Sequence, residues 1–196
     1  MEILVSDKKL KSSDIIDLGC GKNIHPDADI GIDTRKGTDA DIIADLTNER
    51  LPIEQNSVSK VYAIDVLEHI PEGIISVIEE VHRILQIGGV FIIKVPGRHY
   101  DPPSRNPHHS RSFDSQWFYS WDPDRHEHSK WNNFTCCPFD VTLLDRERLS
   151  IKPWSVIRRF VENKPIFPPF MTKSYTFELE KRTDCSQHLT ISEKEK

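Results

Sequence analysis

The stretch "DIIDLGCGKN", residues 14–23, constrains the fold most: an apolar run ends in an acid and passes straight into a turn with two glycines. A short apolar run closed by glycines reads as a buried strand leaving a sheet, and its repetition along the chain is the pattern of an α/β fold with a parallel sheet. The next candidate strands are "DIGID" (29–33), "ADIIADL" (40–46), "KVYAIDVL" (60–67) and "VFIIKV" (90–95). Later, "FDVTLLDRERLSI" (139–151) alternates like a sixth strand and its continuation, and "SYTFELEKR" (174–182) like a last one. The clearest helix follows "EHI". Pro71 suits its first position, Glu72 suits the positive end of a helix, and Ile74, Ile78, Val81 and Leu85 recur at helical spacing, with Gly88 and Gly89 placed to stop it. Strand, helix, strand is the βαβ unit of a parallel sheet. The spacers "GCGKNIHPDA" (19–28) and "TRKGTD" (34–39) leave room for little more than one helical turn each.

Composition narrows the function classes. At 196 residues the chain is the size of one domain, and the expected organisation is a single domain over 1–182 with a short mobile tail, 183–196. Residues 97–137 read as an insertion on the substrate side, and 152–171 as a lid or an interface loop of a possible homodimer. Cys20, Cys136, Cys137 and Cys185 have no framework spacing, the first residues lack a signal-peptide core, and a reducing cytoplasm is the expected location. No apolar run approaches the roughly 18 residues of a membrane span. A formal charge of −5 argues against nucleic acid as the main partner, because that affinity comes from Lys and Arg neutralising phosphates.

The acids decide what the glycine turn holds. A dinucleotide fingerprint needs G-x-G-x-x-G and a turn free of negative charge, so that a pyrophosphate can rest on a helix N-terminus. Here Ile24 takes the third glycine position and Asp17 stands two residues before the first glycine. That carboxylate repels a pyrophosphate and attracts an ammonium. Asp33, ending the second run, is placed for ribose hydroxyls, and Asp45 for an exocyclic amine. Three acids around a glycine turn suit S-adenosylmethionine rather than NAD.

With these residues in view, the chain resembles the class I S-adenosylmethionine-dependent methyltransferases, in particular the small type 11 group with a "DLGCG" first motif. The likeness extends in order through "LPIEQNSVSKVYAIDVLEHI" (51–70) and "EEVHRILQIGGVFIIKVP" (79–96), covering about the first hundred residues. It implies a Rossmann-like sheet of seven strands, mostly parallel, with helices on both faces and the last strand antiparallel to its neighbours. It also implies that Asp17 supports the amino-acid end of the cofactor, that Gly19 and Gly21, with Cys20 between them, let the backbone approach it, that Asp33 binds the ribose, that Asp45 lies by the adenine, and that Asp65 opens toward methyl donor and substrate. Two departures stand out: Asn23 where the family often has a glycine, and a short or missing helix after the first turn.

Substrate recognition is expected in residues 97–137, rich in His, Arg, Trp and Tyr, which follow the fifth strand at the edge where α/β sheets hold ligands. "HSRSFDSQWF" (109–118) resembles a family segment in which a His precedes a short helix, making His109 the first candidate for a proton-accepting or substrate-facing residue, with His108, Arg105 and Arg111 behind it. Two arginines suit a carboxylate or phosphate. Glu68 and His69 read as loop or helix-capping residues. His108, His109, His126, His128, Cys136 and Cys137 lack the spacing of a zinc site, and no metal is expected. The function expected is in-line methyl transfer to an O, N or C nucleophile of a small molecule or a sugar or lipid intermediate. Non-catalytic cofactor binding, a nucleotide-dependent oxidoreductase and nucleic-acid or protein methylation stand as alternatives.

Overall fold

The computed structural model describes residues 14–48, 50–98, 100, 103–125, 137–148 and 172–182. His126, His128, Cys136, Cys185, the loop 152–171 and the tail 183–196 lie outside the described residues. The strands are β1 (Ile15–Leu18), β2 (Ile30–Asp33), β3 (Ile42–Ile43), β4 (Val58–Ile64), β5 (Leu85–Pro96), β6 (Phe139–Arg148) and β7 (Thr172–Lys181). A 3-10 turn (Leu67–His69) and helix α1 (Ile74–Ile84) lie between β4 and β5, and a short α2 (Ser115–Tyr119) follows β5.

All seven strands join one sheet in the order β3-β2-β1-β4-β5-β7-β6. β1 pairs in parallel with β2 and β4, β2 with β3, and β4 with β5, while β7 runs antiparallel between β5 and β6. The Rossmann-like sheet with its last strand reversed is therefore present. Among the described residues its helical layers consist of α1, α2 and the 3-10 turn, and the β1–β2 and β2–β3 connections contain only turns and loops. Parallel neighbours are ordinarily joined through a helix. Here the loop after β1 takes its place: a Cβ on Gly31, in β2, would lie 2.8 Å from both Cys20 Sγ and Ile24 Cγ1. Ile24 thus packs where a longer chain would place helical side chains.

One face of the sheet is fully buried: Ile16, Ile32, Val61, Ala63, Phe91 and Ile93, which the register places on that face, are inaccessible, while the alternate positions of β5 stay partly exposed. Helix α1 turns Ile74, Val77, Ile78, Val81 and Ile84 inward, the helical stripe the sequence announces. Its ends differ from expectation. Gly73, with φ 77°, is the N-cap, so Pro71 and Glu72 lie before the helix. At the other end the chain becomes extended at Leu85, and Gly88 and Gly89 fall inside β5 rather than at the helix stop. They sit where Val58 pairs with Leu85 and Lys60 with Val90, a register shift in which the glycines absorb the extra residues.

Candidate active site

Parallel pairing brings the C-terminal ends of β1 to β4 to one edge of the sheet, where they form a cleft of about 920 Å³. Gly19, Asp33, Asp45 and Asp65 line it, one from the end of each strand in turn, together with Arg35, Thr47, Asn48, Val66, His69, Asn106 and His108. Gly19 has φ 68°, and a Cβ there would stand 2.5 Å from Val66 Cγ2. The backbone at the cleft floor is therefore pressed against the β4 end.

Asp33 is the best-held acid. It is 2% exposed, its Oδ2 accepts from Gly21 N at 2.9 Å, and its Oδ1 accepts from Arg35 N at 2.8 Å and Arg35 Nε at 3.2 Å. Burial works to raise its pKa, but the hydrogen bonds from Arg35 and Gly21 prevail and hold it below the ordinary carboxylate value. One carboxylate thereby locks the glycine turn to the end of β2. Asp45 organises its own turn, accepting from Thr47 N (2.9 Å), Thr47 Oγ1 (2.7 Å) and Asn48 Nδ2 (2.8 Å), which lower its pKa. Asp65 carries φ 55°, unusual for a residue with a side chain, and is fixed by its N–H to Lys94 O at 2.9 Å.

Asp17 is placed differently. It lies behind the glycine turn, 5% exposed, and Oδ2 accepts from His25 N at 2.8 Å. Burial raises its pKa more than that hydrogen bond lowers it. Neither Asp17 nor Gly21 nor Cys20 is among the described residues lining the cleft; Asp17 and Gly21 brace the turn that lines it. Burial, reinforced by Asp17, Asp33, Asp39 and Asp41, pushes the Cys20 thiol up to about 11, leaving it protonated at neutral pH.

A second, smaller cleft of about 280 Å³ adjoins the first, sharing Asp65 and His69 with it. Glu68, Lys94, Pro96, Tyr100, His109, Glu147, Lys173 and Ser174 complete its lining. The segment 106–111 is laced to the end of β4 by four contacts: Ser110 N to Glu68 O at 2.7 Å, His69 Nδ1 to His108 O at 3.0 Å, Arg111 Nε to Ile70 O at 3.1 Å and Arg111 Nη2 to Pro71 O at 2.7 Å. Because a carbonyl only accepts, His69 carries its proton on Nδ1, and its Nε2 is the basic nitrogen.

Of the candidate substrate-side residues, His108 reaches the larger cleft and buried His109 the smaller. Arg105 donates to Tyr100 O at 2.7 Å and Arg111 to the carbonyls above; neither is among the described lining residues of either cleft. Sequence reasoning passed over Arg35, Thr47 and Asn106, and gave Glu68 and His69 a loop role although both face the smaller cleft. The signal for Arg35 was its place two residues after Asp33; for His69 no local signal existed, since its neighbours in space come from 106–111.

Comparison with known proteins places this geometry. Residues 29–93 match the family model described as a methyltransferase domain. No curated protein matches the sequence. Among solved structures, the YcgJ protein from Bacillus subtilis superposes with a TM-score of 0.57 at 15% identity, over 90% of this chain and 95% of that one. A SAM-dependent methyltransferase from Archaeoglobus fulgidus gives 0.55 at 14% identity, over 89% and 87%. Phosphoethanolamine N-methyltransferase 2 from Haemonchus contortus, solved with S-adenosyl-L-methionine, gives 0.53 at 12% identity over 90% of this chain and 50% of that one. Likeness at these identities is likeness of fold.

Proposed function

We propose that this chain, a class I methyltransferase of the type 11-like group with S-adenosylmethionine as its methyl donor, moves the methyl group to an O, N or C nucleophile of a small molecule or of a sugar or lipid intermediate by in-line displacement. The observation that carries this reading is the convergence of Gly19, Asp33, Asp45 and Asp65 on one cleft at successive strand ends. In it Asp33 takes the ribose hydroxyls, Asp45 and its turn face the adenine, and the backbone at Gly19 approaches the amino-acid end, with Asp17 bracing the turn from behind. The methyl group points toward Asp65 and His69, where the two clefts meet, and the acceptor enters from the smaller one.

The sulfonium is already an activated leaving group, so no covalent intermediate is needed. The acceptor's lone pair forms the new bond to the methyl carbon while the carbon–sulfur pair returns to sulfur. What the chain supplies is alignment and exclusion of water, worth roughly 7 to 11 kcal/mol in well-oriented reactions. His69 and His109 line the smaller, acceptor-side cleft and His108 the larger, and an imidazole accepting the acceptor's proton adds about 10²- to 10⁴-fold. A cytoplasmic enzyme acting on a free metabolite fits the charge of the chain. No helix among the described residues is long and apolar enough to cross a membrane. The test is Asp33→Ala: S-adenosylhomocysteine affinity, measured by calorimetry, is expected to fall at least tenfold, and unchanged affinity in a folded variant contradicts the assigned site.

A further inference from the structure

We propose that Glu68, His69 and His109 form a divalent-cation site on the acceptor side of the active site. This inference rests on the methyltransferase reading above for its catalytic consequence, though not for the site itself. The three side chains come from two segments some forty residues apart in sequence, yet one ligand atom from each lies within 4.8 Å of the other two. A carboxylate with two imidazoles is a donor set that suits first-row divalent ions and leaves further coordination positions open.

The site is built rather than incidental. Glu68 is 1% and His109 8% exposed, while His69 faces the cleft. The strand-end segment and the loop that supply them are tied by the backbone bond from Ser110 N to Glu68 O and by both Arg111 contacts. The bond from His69 Nδ1 to His108 O is the outer contact that ordinarily orients a ligating imidazole, and it leaves Nε2 as the ligand atom. Asn106 plays the corresponding part for His109, its Nδ2 standing 2.9 Å from Nε2. Ligation through Nδ1 puts the ring proton on Nε2, and a half-turn of the Asn106 amide then offers its oxygen to that proton. Exposed His108, whose N–H now donates to Asn106 Oδ1 at 3.1 Å, turns to water in exchange. The surrounding charge favours a cation: the smaller cleft has three carboxylates, Asp65, Glu68 and Glu147, against two lysines, Lys94 and Lys173, and Lys173 is already bound to Glu147 at 2.6 Å.

A cation here binds the acceptor through oxygen and lowers the pKa of a hydroxyl. The hydroxyl proton leaves to solvent, the oxygen lone pair forms the bond to the methyl carbon, and the carbon–sulfur pair goes to sulfur. The two imidazoles then act as ligands, and the acceptor class narrows to oxygen nucleophiles.

The experiment uses the full chain, stripped with chelator and titrated with Mn²⁺ by electron paramagnetic resonance, with Zn²⁺ competition and with S-adenosylhomocysteine calorimetry on the same preparation. One Mn²⁺ per chain, weakened more than about tenfold in both His69→Ala and His109→Ala in variants that keep the wild-type circular dichroism, supports the site. His69 is exposed, so its variant reads out the site even where a change at Glu68 or His109 disturbs folding. Absence of Mn²⁺ and Zn²⁺ binding in protein that binds S-adenosylhomocysteine overturns the proposal, as does binding unchanged by His69→Ala. Metal binding without S-adenosylhomocysteine binding leaves the cation site standing and removes the methyltransferase reading instead.

Discussion

At Gly19 two constraints coincide: φ 68° places the residue in the left-handed region, and a Cβ added there would stand 2.5 Å from Val66 Cγ2. Gly19→Ala is therefore expected to destabilise by at least about 1 to 2 kcal/mol from the backbone alone, and to weaken S-adenosylhomocysteine binding beyond that loss; a thermal melt beside a calorimetric titration separates the two effects. Arg35 tests the electrostatics of the neighbouring acid. It is 71% exposed, so its ion pair with Asp33 adds little stability, but it helps keep the carboxylate ionised in a buried place. Arg35→Ala is expected to raise the Asp33 pKa and move the acidic limb of cofactor binding to higher pH, with neutral-pH stability nearly unchanged. A binding limb at the same pH in both proteins contradicts this. At this scale the place of Asp33, Asp45 and Asp65 in the cleft was legible because each follows an apolar run to the same edge of the sheet, whereas Asp17, which ends the first run, is not among the residues lining it. The Glu68, His69 and His109 grouping was not, because it depends on how residues 106–111 return to the end of β4.

Helix α1 shows how an element is closed by a residue far along the chain. Lys181, 8% exposed near the end of β7, donates to His82 O at 2.6 Å, Leu85 O at 2.8 Å and Asn56 Oδ1 at 2.7 Å. It satisfies carbonyls that the helix end leaves open, so the end of β7 and the helix stop are one structure. Lys181→Met keeps the aliphatic stem and leaves those acceptors bare; at about 1 to 3 kcal/mol for a buried unsatisfied group, a loss of at least about 2 kcal/mol is expected in urea denaturation, and a loss below about 0.5 kcal/mol, the range of ordinary surface substitutions, contradicts the role. The same pairing explains why the glycine pair misled as a helix stop. Leu85 already pairs with Val58, and the extra residues are taken up within the strand. Apolar periodicity marked the body of the helix correctly, whereas its ends were set by long-range contacts that no local pattern records.

Across the whole molecule, the reversal of the last strand is what the resemblance implied, whereas the insertion of β7 between β5 and β6, which leaves β6 running the same way as β5, had no signal in the sequence. The compressed β1–β2 and β2–β3 connections were legible as missing length; that Ile24 and Cys20 would fill the space over Gly31 was not. Global stability has its own titration. His82, packed edge-on against Phe139 at 5.0 Å, has its pKa lowered to about 4 by burial first and by Lys181 second. The unfolded chain then takes a proton near the ordinary His value of 6.5 that the folded chain refuses until about 4. Stability is expected to fall as pH drops through that window and to show no further His82 contribution below it. His82→Gln should flatten the slope, and an unaltered slope in denaturant melts across this range assigns it elsewhere.

Whether the edge formed by β1 to β4 holds S-adenosylmethionine is decided by calorimetric titration of the full chain with S-adenosylmethionine and S-adenosylhomocysteine, with NAD as control. Saturable binding of the first two at one site per chain, and none of NAD, is expected. Binding of NAD in their place, or of neither by folded protein, contradicts it.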